Sequence, residues 1–380
     1  MSVELPAFEK KVTFTSMTDP YALSGVDTAA GDRAVELMKK AVTATHGNLV
    51  LDGLGGFAGL IDAGFLKNYS HPVLATSTDG VGTKVLIAQA IDKHDTIGQD
   101  LVGMVVDDIV VSGAKSLFMT DYIACGKVVP SRIAEIVSGI ALACKEVEVA
   151  LVGGETAEHP GVMKEHEYDL AGAAVGVVEK TKILSRGRVE VGDAVIALES
   201  SGLHANGYSL VRKIVADAKL DYLARLSDFS SPLGEELLVP TRLYSKVIGE
   251  IIDAFPGEIS ALSHITGGGL AANLSRVLPT TVSLDVDRSS WQLPRVVSVL
   301  SDIAKLKAEE LEGTWNMGVG FAAVVRKSSA RAITEKIQSL GIPAWQVGVI
   351  ESSACDEKGY VTEAKGVKGG AVRLVGSYAQ

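Results

Sequence analysis

The chain has 380 residues, a net charge of −10, 47% apolar residues and 22% charged ones. That length is the size of two domains of roughly 150–200 residues, and the apolar share excludes a disordered chain. The acidic balance argues against nucleic acid or an anionic membrane as partner, because both demand basic patches; a nucleotide can still bind where metal ions and backbone amides neutralise it.

Residues 1–20 read as a polar arm without the apolar core of a signal peptide. No apolar run approaches the ~20 residues of a membrane span, so the expectation is a cytoplasmic protein. Cys125, Cys144 and Cys355 show no metal-ligand spacing and suit a reducing compartment. A helix is expected from Asp32, as cap, to about Thr45, where Val35, Met38 and Val42 recur at helical spacing. Leu49–Leu51 reads as a short strand running into the glycine cluster Gly53-Leu-Gly-Gly-Phe-Ala-Gly59. Pro72–Thr78 is a strand that delivers Asp79, and Ile97–Ser112 is a buried helix. Leu117–Ala124 is a strand, and Ser131–Glu148 is the clearest amphipathic helix, with Ile133, Ile136, Val137, Ile140 and Cys144 on one face. Val149–Val152 is a strand ending at Gly153-Gly-Glu-Thr156, and Ala171–Val178 is another.

The polar stretch 179–188 marks a junction, dividing a domain of residues 21–182 from one of 183–380. Beyond it the alternation resumes with strand 193–198, helices 209–218, 242–252 and 269–277, strand 321–325, helix 330–339 and strand 344–350. Interleaved helices and strands make both halves α/β.

A nucleotide site needs amides for phosphates, carboxylates for Mg²⁺ and cations for the charge that develops. Asp79 lies between a strand and the glycines Gly80 and Gly82, with Thr83 and Lys84 following; a plain Asp-Gly turn is the alternative. Asp107-Asp108 interrupts an apolar helix, where two carboxylates are costly to bury unless they meet a metal or a donor, although surface charge would also explain them. Glu155 follows two glycines, and a loop carboxylate is its bland reading. Gly53–Ala58 fits the dinucleotide pattern G-x-G-x-x-[GA], but the helix that should follow is broken by Gly59 and Gly64. Neither glycine loop is a Walker A motif. In the second half, Ser201-Gly-Leu-His-Ala-Asn-Gly-Tyr-Ser209 opens a helix with His204 and Asn206 in its turn, and His264-Ile-Thr-Gly-Gly-Gly269 opens another. Asn316-Met-Gly-Val-Gly320 reads as a turn that shapes the fold.

Taken together, Thr78–Lys84, Gly153-Gly-Glu-Thr-Ala-Glu-His-Pro-Gly161, 201–212, His264–Gly269 and Asn316–Gly320 resemble the phosphoribosylformylglycinamidine cyclo-ligase (aminoimidazole ribonucleotide synthetase) family. Tyr21-Ala-Leu-Ser-Gly-Val-Asp27 resembles that family's opening. The resemblance implies ATP-dependent ring closure of formylglycinamidine ribonucleotide to 5-aminoimidazole ribonucleotide, with ATP and Mg²⁺ as cofactors and room for K⁺. It implies a mixed-sheet N-terminal domain that pairs with its copy in a homodimer, forming a barrel-like sheet, and an α/β C-terminal domain for the substrate. By motif, Asp79, Asp108 and Glu155 would serve the metal. Lys39, Gly53, Gly55, Gly56, Phe57, Gly80, Gly82, Thr83, Lys84, Gly154 and Thr156 would line the nucleotide. His204, Asn206 and Lys84 would serve catalysis. The chain departs from the family at Asp107, where asparagine is usual, and at His159, where methionine is usual. The related thiamine-monophosphate kinases, selenophosphate synthetases and hydrogenase-maturation dehydratases share the architecture; the last should end in a cysteine, and this chain ends in Gln380.

Overall fold

The computed structural model describes residues 27–51, 56–353 and 358–379. The arm 1–20, residues 21–26, Gly53, Gly55 and Cys355 lie outside the described residues. Helix α1 (Thr28–Thr43) begins earlier than expected, because Asp27 rather than Asp32 caps it, its carboxylate accepting from Ala30 N at 3.0 Å. The strand expected at Leu49–Leu51 reduces to an isolated bridge between Val50 and Ile61.

A four-stranded sheet follows. In chain order it comprises β1 (Pro72–Gly80), the short α2 (Val85–Ile91), α3 (Ile97–Val110), β2 (Lys115–Cys125), α4 (Pro130–Glu146), β3 (Ala150–Glu158) and β4 (Tyr168–Glu179). The strand order is β1-β4-β2-β3, antiparallel except for β2 with β3, which α4 connects. Strand β3 does not stop at the glycines; it runs through Gly153-Gly154 and carries Glu155 within it. Helices α3 and α4 cover one face. Leu101, Val102, Val105 and Val106 of α3 are all fully buried, each worth about 1.5–3 kcal/mol of apolar transfer. The other face is open: β1 alternates between half-buried and exposed residues, and Leu74 is 62% exposed.

Two single-turn helices, Lys180–Lys182 and Arg186–Arg188, lead to the second sheet. It is built from β5 (Ala194–Glu199), α5 (Tyr208–Asp217), α6 (Leu233–Leu237), α7 (Ser245–Ala254), β6 (Ile259–His264), α8 (Gly269–Val277) and β7 (Val282–Asp287). Then come α9 (Arg295–Ala304), α10 (Ala308–Leu311), β8 (Val319–Val325), α11 (Ala330–Ser339), β9 (Ala344–Ser352), β10 (Val361–Ala364) and β11 (Val367–Val375). The order is β10-β11-β7-β9-β5-β8-β6. Both faces are covered. Ala194, Ile196 and Leu198 of β5 pack with α7 and α11, while Val195 and Ala197 pack with α8, the two-residue period of a strand. This is why the central strands read as unbroken apolar runs. The two halves share one apolar cluster, in which α3 and α4 meet Leu203, Tyr208, Leu300 and Trp315. No helix among the described residues is long and apolar enough to cross a membrane.

One buried group sets a pH dependence. Asp121 of β2 lies beneath the helices beside Cys144, and Gly154 across the ladder leaves room that a Cβ would fill. Burial pushes its carboxyl up to about 7. A raised carboxyl supplies stability at low pH that is lost as pH rises through the folded value. Denaturation midpoints of the wild type should therefore decline from about pH 4 to about pH 7, and Asp121→Asn should reduce that slope. An unchanged slope in the variant would show that Asp121 ionises without penalty.

Candidate active site

A cleft of about 400 Å³ lies between the two sheets, within the size range of small-ligand sites. One wall is the β1–α2 loop, Asp79 to Thr83, with Met104 of α3; the other is Ala205 to Ser209 with Thr266, and Lys365 completes the lining. Thr83 Oγ1 and Ser209 Oγ meet across it at 3.2 Å. A larger groove of about 890 Å³ opens near Lys115 and Glu179, at the far end of the first sheet, but gathers none of the motif residues. The chemistry belongs to the smaller cleft.

Asp79 accepts from Gly80 N at 2.7 Å. Burial raises its carboxyl above the usual range; the Gly80 amide opposes the shift and the nearby Asp108 carboxylate adds to it. Asp108, exposed, receives His264 Nδ1 at 2.9 Å. Its neighbour Asp107 has a different role. Wholly buried, it accepts Tyr244 N at 3.1 Å and Ser245 N at 2.7 Å and so caps α7, and burial lifts its carboxyl to about 6.

Lys84 is not at the cleft surface. It is fully buried, and Nζ donates to Asp100 Oδ1 at 2.8 Å, His204 O at 2.9 Å and Val239 O at 2.7 Å. Those are the three donors an ammonium has, so none is left for a phosphate. Asp100 Oδ1 also accepts Thr241 N and Oγ1, at 2.9 and 2.6 Å, while its Oδ2 finds no donor among the described residues. Burial pulls the lysine down and pushes the aspartate up, and each partner's charge opposes the shift. The surrounding donors and acceptors fit the ionised pair.

His204 is enclosed too. Its backbone takes the left-handed conformation at φ 61°, a strained state that the Lys84 bond to its carbonyl helps to impose. Nε2 accepts from Ser201 N at 3.1 Å, which leaves the proton on Nδ1, a buried atom without a hydrogen bond to any described residue. Burial, then the positive charges of His264, Lys84 and Arg242, lower its pKa well below the ordinary value, so the ring is neutral at pH 7. Gly320 is glycine for the same packing reason: a Cβ there would run into the Tyr244 hydroxyl and the His204 ring. Asn206 does face the cleft, with Oδ1 accepting from Gly267 N at 2.8 Å and Nδ2 directed at Met104 Sδ.

The remaining expected residues stand elsewhere. Ladder register aligns Asp79, Gly172, Asp121 and Gly154 in one row, so Glu155 is three strands from Asp79, about 14 Å at ordinary spacing. It is also one residue out of phase, on the open face with Tyr122. Thr156 and the exposed Phe57 and Gly56 lie toward this edge, where Gly59 abuts Val152, and Lys39 is exposed on α1. Among the described residues, no three His, Cys, Asp or Glu side chains form a metal cluster. Ser209 and Thr266 line the cleft from within the expected motifs, though without an assigned role, while Met104 and Lys365 are cleft residues outside any motif.

If Lys84 braces the fold, Lys84→Met leaves Asp100 buried and uncompensated, and urea denaturation should show a loss of about 3–5 kcal/mol. Adding Asp100→Leu should recover much of it. A phosphate-ligand role would instead raise KM for ATP with stability intact.

The family model described as AIR synthase related protein, N-terminal domain, matches residues 61–178, and its C-terminal counterpart matches 190–357. A phosphoribosylformylglycinamidine cyclo-ligase of Geobacillus sp. (strain WCH70) is 46% identical over 336 residues, covering 88% of this chain and 96% of that protein. Among solved structures, thiamine-monophosphate kinase from Stenotrophomonas maltophilia K279a aligns with a TM-score of 0.60 at 18% identity, covering 91% of this chain and 97% of that one. Hydrogenase maturation protein HypE in complex with ATP aligns at 0.58 and 18%, covering 87% and 88%. These two likenesses concern the fold. The identity to the curated cyclo-ligase, together with both domain models, decides the family: the chain belongs to the phosphoribosylformylglycinamidine cyclo-ligases.

Proposed function

We infer that the chain closes formylglycinamidine ribonucleotide to 5-aminoimidazole ribonucleotide, the fifth step of purine biosynthesis, in the cleft between Asp79–Thr83 and Ala205–Ser209. The substrate's amide oxygen is activated by phosphoryl transfer from ATP, the amidine nitrogen attacks that carbon, and ADP and phosphate are released. The observation that carries the placement is that family motifs far apart in sequence face one ligand-sized cleft.

Asp79 and Asp108 fit a divalent cation, since one half-buried carboxylate is held above its usual range beside a second, exposed one. Mg²⁺ takes one or two carboxylates plus phosphate oxygens and water, and held there it would neutralise phosphate charge. Gly82, at φ 73° with open space where a Cβ would stand, lets a phosphate approach the backbone. Asn206 is placed to orient substrate: Gly267 fixes its oxygen, while its amide faces only a thioether, a weak acceptor that a substrate oxygen would replace. His204, neutral and enclosed, shapes the turn that carries Asn206. Positioning and electrostatics, not covalent chemistry, are what this reaction asks of a protein.

The open face of the first sheet is the surface on which a second copy would pair. Leu74 and Tyr122 are 62% and 41% exposed there, and Glu155 stands beside Tyr122. Pairing would cover that apolar face and enclose Glu155, an expected nucleotide residue that the cleft leaves out.

Purified protein given ATP, Mg²⁺ and formylglycinamidine ribonucleotide should release ADP and form the aminoimidazole only when all three are present; substrate-independent ADP release alone would refute the reading. Asp79→Asn should lower kcat about 100-fold or more without lowering stability. Sedimentation should show a dimer that Leu74→Glu converts to folded monomers, and a dimer surviving that change would place the interface elsewhere.

A further inference from the structure

The cleft is lined by one cation among the described residues, and it comes from an unexpected part of the chain. Lys365 occupies the tip of the β10–β11 hairpin, beyond residue 357 where the C-terminal family model stops matching. The hairpin is firmly seated. Strand β11 pairs in parallel with β7 from Ala371↔Ser283 to Val375↔Asp287. Ser275 Oγ of α8 donates to Gly370 O at 2.8 Å, and Gly370 N donates to Leu278 O at 3.0 Å. Those bonds anchor its base at the C-terminal end of α8, and the strands lead back to a tip that lines the cleft with Thr266, just before that helix begins. The turn is the two residues Lys365-Gly366, with φ 49° and 74°, the tight geometry that matches strand twist. Its position is therefore set by the ladder and by α8 together.

The lysine is exposed, and forms no ion pair or hydrogen bond with any described residue. Its charge is nonetheless felt at Asp79. Around it are Gly82, Thr83, Asn206, Ser209 and Thr266, all neutral donors or small residues. With Lys84 sealed inside, a cleft that carries Asp79 and has Asp108 nearby would otherwise present only negative charge to ligands that are themselves anions.

We propose that Lys365 is a ligand-binding residue of the cleft, delivered by the C-terminal hairpin to hold a phosphoryl group. An ammonium on a four-carbon stem meets a phosphate as a point charge and tolerates some latitude in its position. The chemistry is shared by two sources, the terminal phosphate of the ribonucleotide substrate and the polyphosphate of ATP. The assignment rests on the cyclo-ligase reading, but its test can be separated from it.

The test is steady-state kinetics of Lys365→Ala and Lys365→Arg, each substrate varied at saturation of the other, with thermal denaturation as the control for folding. At an exposed turn neither variant should lose stability. Lys365→Ala should raise KM about tenfold for one substrate, with kcat within about twofold, and Lys365→Arg should stay within about threefold of wild type. A rise confined to the ribonucleotide places its phosphate at the hairpin; a rise confined to ATP places the polyphosphate there. Unchanged KM for both, or a loss in kcat alone, overturns the proposal, the latter because it would mean that the lysine acts only by tuning Asp79. Should the wild type show no turnover, the cyclo-ligase reading fails first. Calorimetric titration with ATP and with inorganic phosphate then decides on Lys365: weaker binding of either by Lys365→Ala supports the role, and equal binding of both rejects it.

Discussion

Two buried carboxylates on α3 hold this molecule in its working shape. A carboxylate in a protein interior costs several kcal/mol unless donors surround it, and the donors for Asp100 and Asp107 come largely from the other half of the chain. Thr241 supplies an amide and a hydroxyl to Asp100, and the start of α7 supplies two amides to Asp107. Lys84 completes the link by joining Asp100 to the carbonyls of His204 and Val239. A shift of the halves too small to admit water would leave these charges without their donors. The spacing between Asp79–Thr83 and Ala205–Ser209 is therefore set by desolvation as much as by apolar contact, and the cleft inherits its geometry from the polar stripe of one helix.

The two sheets solve burial differently, and function follows from the difference. The second sheet has helices on both faces, so its central strands β5 and β8 are almost wholly apolar, and its motif residues appear where loops leave it, at residues 201–209 and 264–269. The first sheet is covered on one side only. Its covered side contributes Asp79 to the cleft, while its open side carries Glu155, Tyr122 and Leu74. Residues that a motif places together are thus parted by strand register.

How far the sequence could be read follows from these same features. Helix α4 was legible because its apolar residues repeat at helical spacing, and the central strands of the second sheet were legible as apolar runs. Asp79 was legible because it ends a strand before two glycines. The distinction between Asp107 and Asp108 was not, because neighbours on a helix point about 100° apart and only the packed structure says which one turns inward. Lys84 follows a glycine loop just as a phosphate-binding lysine does; its burial depends on Asp100 and on residues near 239, which no local pattern reveals. Glu155 was expected where its strand closes, behind two glycines, because glycines usually end strands, whereas here the β2 ladder carries β3 through them. The hairpin that bears Lys365 did leave a signal, a Lys-Gly pair between Val361-Thr-Glu-Ala364 and a valine-rich run, but nothing in that pattern says that its tip reaches the cleft.

An acidic protein that handles two phosphate-bearing ligands has to place its few available cations with care. The net charge is −10, the cleft holds Asp79 with Asp108 close by, and the one lysine in the motif is committed to the interior. Binding an anion there would call for a counter-charge on the carboxylates, as a metal would supply, and for any further positive charge to come from outside the motif. A cation on a hairpin tip suits that requirement, because it can be seated rigidly by its ladder without being buried. The same chemistry keeps the interior lysine where it is: drawn out to meet a phosphate, it would leave Asp100 uncompensated and loosen the cleft in which the phosphate binds.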